Sequence, residues 1–335
     1  MSGVADSKQS DQVDAGLDAI EQAFDRWNEL TIHHQKKQKR FGFFTALLGP
    51  VAVLLLTVQI VTFAQNRPVS VTLIALELGA LVIALSFGFF NSGSPNTWMK
   101  YRLRAELLRR EKFLVLARVG PYLKGDTPRN VIDSRLVLID SDATDPAGLI
   151  LLQDADGRTW SEALEDARAA KVQTASPDPD ALETFRDRRL LNQRDWYSRR
   201  SSEWGGRDDL FENIAKFVLI SAVVLSALHL ATLYLGDESI EKQILEILAI
   251  VLPPVGAAAT ALQSLFEGRR LSRSYEDRAL TLTNLAAALA CIKPPLAAGG
   301  TDEFQFKRLV LRTENALASE LHQWWLLRHT HTPGV

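Results

Sequence analysis

The chain has 335 residues, 47% of them hydrophobic and 23% charged, with a formal net charge of −2 and one cysteine. Those values exclude an intramolecular disulfide framework and disfavour a nucleic-acid binder, yet they would suit an ordinary globular protein. Position is more informative than average, because the apolar residues gather in four segments, 41–64, 69–90, 217–235 and 244–266, in two pairs each closed by a short loop.

Residues 1–30 carry seven carboxylates against Lys8 and Arg26, the reverse of a basic secretory leader. No cleavable signal is expected, and the first apolar segment should itself direct insertion. Val13, Leu17, Ile20, Phe24 and Trp27 recur at helical steps, a stripe suited to pairing with another helix or to lying on its own domain. Segment 41–64 contains no charged residue. About 20 apolar helical residues cross the roughly 30 Å of bilayer hydrocarbon while satisfying their own backbone, so this segment and the next read as a transmembrane hairpin.

His33, His34, Lys36, Lys37, Lys39 and Arg40 precede that hairpin, and Lys100, Arg102, Arg104, Arg109 and Arg110 follow it. The positive-inside bias puts both of its ends in the cytoplasm. Glu77 falls mid-span, where an isolated carboxylate has to face a partner, face a wet cavity or take a proton. It is the leading pore-lining or gating candidate, with an interhelical hydrogen bond as the structural alternative.

A short break at 91–96 leads to a helix in which Trp98, Arg102, Ala105, Arg109 and Phe113 share a face, with i,i+4 pairs Arg102–Glu106 and Glu106–Arg110. The charges read as a solvated or interfacial face, and Trp98 as a ring at headgroup level. From 119 to 180 the composition shifts toward Gly, Pro and Asp, and the aliphatic runs 135–139 and 148–153 have the pattern of a small β-hairpin. Thr159 and Glu162 stand at capping-box spacing before a short helix, 160–171. After a linker at 176–180, a charged helix runs from Ala181 into the third span.

The second hairpin repeats the charge logic, with Arg186, Arg188, Arg189, Arg194, Arg199 and Arg200 before it and Arg269, Arg270 and Arg273 after it. His229 in the third span is a second pore-lining candidate, a packed neutral histidine being its structural alternative. Pro253 and Pro254 should kink the fourth span, and the small residues beginning at Gly256 suit close helix packing. Toward the carboxyl end Phe306, Val310, Leu317, Leu321 and Trp324 form a stripe, with Arg312, Glu314 and Glu320 assigned to other faces.

The segment Trp98-Met99-Lys100-Tyr101-Arg102-Leu103-Arg104-Ala105-Glu106-Leu107-Leu108-Arg109-Arg110-Glu111-Lys112-Phe113, following a membrane hairpin, resembles the juxtamembrane helix of the SLATT family. That family comprises bacterial two-transmembrane effector domains of nucleotide-linked conflict systems. Arg194-Asp195-Trp196-Tyr197-Ser198-Arg199 and the stretch from Arg312-Thr313-Glu314-Asn315 through Glu320 to Trp324 are similar to the helices that flank its hairpin. In the second half Ser272-Arg273-Ser274-Tyr275-Glu276 replaces the Trp and Arg-Ala-Glu pattern, and residues 119–180 lie outside the resemblance. The resemblance implies two copies in tandem, acting as a pore-forming or membrane-disrupting effector on a cytoplasmic signal during phage infection. It implies a nucleotide second messenger or a cytoplasmic sensor protein as the trigger.

The expected fold is thus an all-α membrane protein with two transmembrane helical hairpins, long cytoplasmic helices and a small β-hairpin-containing insert. Its divisions are 1–120, 121–180, 181–328 and a tail, 329–335. Trp98, Arg102, Arg104, Glu106, Arg110 and Glu111 are the juxtamembrane switch candidates. No Gly-rich phosphate loop, metal-ligand spacing or nucleophile elbow is visible, so neither enzymatic activity nor a metal or cofactor is expected. Four spans enclose too little space for a wide channel, so conduction would require a homo-oligomer in the inner membrane, with both termini and the insert cytoplasmic. The competing reading is a non-conducting scaffold or signalling adaptor that recruits cytoplasmic partners.

Overall fold

The structure, a computed structural model, describes residues 3–62, 67–91, 94–123, 128–141, 149–153, 157–172, 174–235, 268–297 and 299–329. It is built from helices: α1 (Gly3–Thr62), α2 (Arg67–Asn91), α3 (Ser94–Ala117), α4 (Pro128–Asp140), α5 (Trp160–Ala169) and α6 (Ala181–Thr184). A π-helical segment, Phe185–Leu191, joins α6 to α7 (Asn192–Leu235), followed by α8 (Gly268–Ala290) and α9 (Thr301–His329). The all-α class expected from sequence is observed. Among the described residues no helix is long and apolar enough to cross a membrane. The fourth expected span, with Pro253, Pro254 and Gly256, lies outside the described residues, as do the side chains of Glu77 and His229.

The expected β-hairpin is not formed. Arg135 to Ile139 belongs to α4, where Ile132 and Ile139, two turns apart, are buried and Val137 is 71% exposed. An aliphatic run that buries residues at seven-residue spacing is a helix face, and Pro128 suits a first helical position because the missing N–H has no partner there. Among the described residues no strand occurs, and 149–153 contributes a single antiparallel bridge, Gln153 to Thr159.

The chain divides into two compact units, each assembled from separate stretches. The first comprises Met1–His34, Asn96–Ser198 and Glu276–Val335, and its centre is α3. Leu103, Leu107, Leu108, Leu114 and Val115 are at most 1% exposed and Arg104, Ala105 and Glu106 are buried as well, so α3 is covered on all sides rather than along one stripe. Each such aliphatic side chain contributes about 1.5–3 kcal/mol on burial. α1 supplies one wall: Val13, Ile20 and Trp27 are buried, the Trp27 indole donates to Asp140 Oδ1 at 2.8 Å, and Arg109 lies over the Phe24 ring. The amino-terminal stripe therefore packs on its own domain. Gly16 makes the approach possible, since a Cβ there would meet Ile132 Cδ1 of α4 at 2.6 Å.

Local signals end and begin these helices. α3 stops at Arg118 and α5 at Lys171, both in the left-handed region with φ near +50° (52° and 51°), and the next N–H in each case returns to the preceding turn. The Thr159–Glu162 capping box expected from sequence is present in both directions. α9 begins with a related device, the Gly299 N–H donating to Glu303 Oε2 at 2.7 Å. Gly120 takes φ +62°, and a Cβ there would meet the Trp160 ring at 2.7 Å, so glycine is required on two counts.

The second unit comprises Gln35–Pro95 and Arg199–Tyr275. Within it α2 presents Val71, Leu76, Leu78 and Val82, each more than half exposed, and α7 presents Phe217, Ile220 and Val224 in the same way. α7 and α8 meet through serines: Ser201 Oγ donates to the Ser272 carbonyl at 3.0 Å, Ser272 Oγ donates to the Ser201 carbonyl at 2.9 Å, and Gly205 leaves room for Ser272.

Candidate functional site

The densest chemistry among the described residues is a buried ion cluster in the first unit, where α3, the π segment and α9 converge. Arg189, 2% exposed, projects from the π segment and donates two hydrogen bonds to Glu314 of α9, Nε to Oε1 at 2.8 Å and one terminal nitrogen to Oε2 at 2.6 Å. Its other terminal nitrogen lies 3.5 Å from Glu106 Oε2 of α3. Glu106 also receives Arg102 at 2.8 Å and Arg109 at 3.3 Å from its own helix. Three rings lie beside the charges: Phe113, Phe185 and Phe306, one from each element, stack edge to face with centroids 5.7 and 6.1 Å apart.

The electrostatics follow from burial and partners. Desolvation acts to raise the Glu106 carboxyl, but Arg102, Arg109 and Arg189 outweigh it and hold it at about 2. For Arg189 desolvation opposes the charge, and Glu314 more than restores it, so the guanidinium stays charged. Tyr197 donates its hydroxyl to Glu320, and burial pushes both groups up. One carboxylate of the cluster is thus firmly ionised while another is biased toward its protonated form.

A second centre on α3 anchors the insert. Glu111, 1% exposed, accepts from Tyr122 at 2.8 Å and from Arg135 of α4 at 2.6 Å. Arg110 donates to the carbonyls of Leu149 and Ile150, each at 2.8 Å, and burial brings it down to about 10. Arg110 and Arg135 also flank the Trp160 ring at 5.6 and 5.8 Å. Arg104 donates to the Ser141 carbonyl at 3.0 Å and lies over Trp27.

Arg102 aside, whose partner Glu106 is on its own helix, the charged juxtamembrane candidates are buried ties between α3 and other elements rather than a solvated face. Glu106, Arg110 and Glu111 sit at the two centres, Arg102 at the rim of the first and Arg104 between α1 and the end of α4. Trp98 is 8% exposed inside the first unit. Glu314 and Glu320, assigned by sequence to faces other than the apolar stripe of the last helix, are buried. Sequence reasoning also passed over Arg189, Tyr197, Tyr122 and Arg135 as site residues. One signal was available: Phe185, Arg189, Gln193 and Tyr197 follow at intervals of four, and a polar residue recurring on an aromatic stripe marks a buried charge in need of a partner.

The cluster offers positioning chemistry, with cations and carboxylates paired across three elements. Among the described residues no group of three His, Cys, Asp or Glu side chains could hold a metal ion. A cavity of about 100 Å³ lies at the start of α9, lined by Arg168, Thr174, Glu303, Phe304 and Lys307. That is well below the roughly 300–1,000 Å³ of ligand pockets. Its polar groups serve one another, Lys307 donating to Thr174, to the Ala175 carbonyl and to Glu303.

Residues 185–324 match the family model described as SMODS and SLOG-associating 2TM effector domain 1, SLATT_1. The matched stretch begins at Phe185, the first residue of the π segment, and includes Arg189, Tyr197, Glu314 and Glu320. It covers the third and fourth apolar segments of the sequence and takes in α7, α8 and most of α9, not the segment 98–113. No curated protein and no solved structure matches the chain.

Proposed function

With residues 185–324 belonging to the SLATT family, we propose that the chain is an integral membrane effector whose cytoplasmic helices hold its spans in a resting arrangement until a signal arrives. The observation that carries this reading is the apolar surface of the second unit. Val71, Leu76, Leu78 and Val82 of α2 and Phe217, Ile220 and Val224 of α7 stand open, a concentration of large apolar side chains suited to lipid rather than water. The basic residues flanking both hairpins support an orientation with termini and insert in the cytoplasm, and the inner membrane is the proposed bilayer.

The first hairpin, 41–90, followed by the charged helix α3, is read as a second copy of the same arrangement. Several chains around an axis would form the pore, with Glu77 turned toward it, the polar position in the spans that hydrocarbon would penalise most. No catalytic step is assigned to the chain. A nucleotide or a sensor protein, acting on the first unit, is the proposed trigger.

Reconstitution of the full chain into phosphatidylethanolamine/phosphatidylglycerol vesicles loaded with potassium tests the reading, alongside induced expression in bacteria with a dye for membrane potential. The wild-type chain is expected to release potassium and to depolarise and arrest cells, and Glu77→Gln to alter the release at least several-fold. Absence of both release and depolarisation, with the protein inserted and folded, would leave the scaffold reading in its place.

A further inference from the structure

The helix that leads into the second hairpin has an unusual winding. Ala181, Phe185, Arg189, Gln193 and Tyr197 are all buried, at 1, 1, 2, 7 and 4% exposure, at a constant interval of four residues. An α-helix turns about 100° per residue, so each four-residue step overshoots a full turn by about 40°. Over the four steps the stripe would travel about 160° and its end would face the wrong way. The chain solves this between 185 and 191 by under-winding into a π-helix, with hydrogen bonds reaching one residue further than in an α-helix.

The under-wound turn coincides with the ion cluster. Phe185, its first residue, stacks against Phe113 and Phe306, while Arg189 is gripped by Glu314 and Glu106. Those contacts hold the π turn from two other helices. Asp187 and Arg188 face outward and take no part in the grip.

We propose that the π segment 185–191 is a winding switch: release of Arg189 from Glu314 and Glu106 lets it tighten to α-helix, turning α7 by about one residue, roughly 100°. This deepens the membrane-effector reading by naming the step between cytoplasmic signal and hairpin. Tightening moves the face occupied by residues 193 and 197 onto residues 192 and 196. Removing one outward residue from the segment takes away the reserve and leaves an α-helix with both flanks already in phase.

The test uses the full-length Cys291→Ser chain in phosphatidylethanolamine/phosphatidylglycerol vesicles, with single cysteines at 192, 193, 196 or 197 and maleimide labelling rates as readout. In the resting chain 193 and 197 are protected. Weakening the grip by Glu314→Gln, or by Arg189→Lys, which keeps the charge and loses the two-pronged bond, is expected to move protection to 192 and 196 with at least a several-fold change in rate. Deletion of Arg188 in the same backgrounds is expected to abolish that movement. Deletion alone should leave the melting temperature at or above that of the parent. An unchanged pattern in both weakened variants overturns the proposal, as does a shift that survives the deletion or a deletion variant that melts far below the parent. Potassium release measured on the same vesicles separates the two levels: a shift without release leaves the winding switch standing and removes the effector reading, whereas release without a shift does the reverse.

Discussion

Arg189 lies between two carboxylates that have different tasks. Glu314 meets it with both oxygens, and removing one partner of such a buried pair strands the other charge. Glu314→Ala is therefore expected to cost about 3–5 kcal/mol in a denaturant melt. Glu106 sets a pH dependence. Its carboxyl is held at about 2, below its ordinary 4.5, so the stability it contributes is complete above 4.5 and disappears as pH falls toward 2. Glu106→Gln should melt well below wild type at neutral pH and converge with it at the acid end of that window. Glu320 has the opposite sign, because burial raises it. Its neutral form is the stabilised one, and that contribution is present below the ordinary carboxylate range and fades as pH rises through the raised value. Glu320→Gln keeps an acceptor for Tyr197 without the charge, and its melting temperature should equal or exceed wild type at neutral pH.

Among the elements, those governed by neighbouring residues could be read from sequence. The start of α5 is one, because Thr159 and Glu162 satisfy each other's backbone donors within a single turn. The stripe at Val13, Ile20 and Trp27 is another. The run 135–139 within α4 has a strand-like pattern because it is short, and only the burial of Ile132 with Ile139 reveals the helical period. The burial of Glu314 and Glu320 was invisible for a different reason. A carboxylate is tolerated in a core when a cation from elsewhere meets it, and Arg189 is 125 residues away in the chain. Where the single 3₁₀ turn Gly120–Tyr122 meets α5, Gly120→Ala is expected to cost about 1–3 kcal/mol, combining a left-handed backbone with a side chain driven into Trp160. A thermal melt of the single variant checks it.

At the scale of the whole molecule, the family match and the folded unit do not coincide. Residues 185–324 match the SLATT_1 model, yet Phe185 stacks on Phe113, Arg189 reaches Glu106, and Lys307 donates to Thr174, all three partners lying outside the matched stretch. A fragment beginning at 181 should therefore aggregate or be cleaved rapidly in limited proteolysis, whereas co-expression with 1–180 should restore a protease-resistant complex. The notch at Gly16 couples α1 to α4 by shape alone, since a Cβ there would meet Ile132 Cδ1 at 2.6 Å. Gly16→Ala should therefore lower the melting temperature, and Ile132→Val, which removes that methyl, should recover part of the loss in the double variant, so that two substitutions harmful singly partly cancel together.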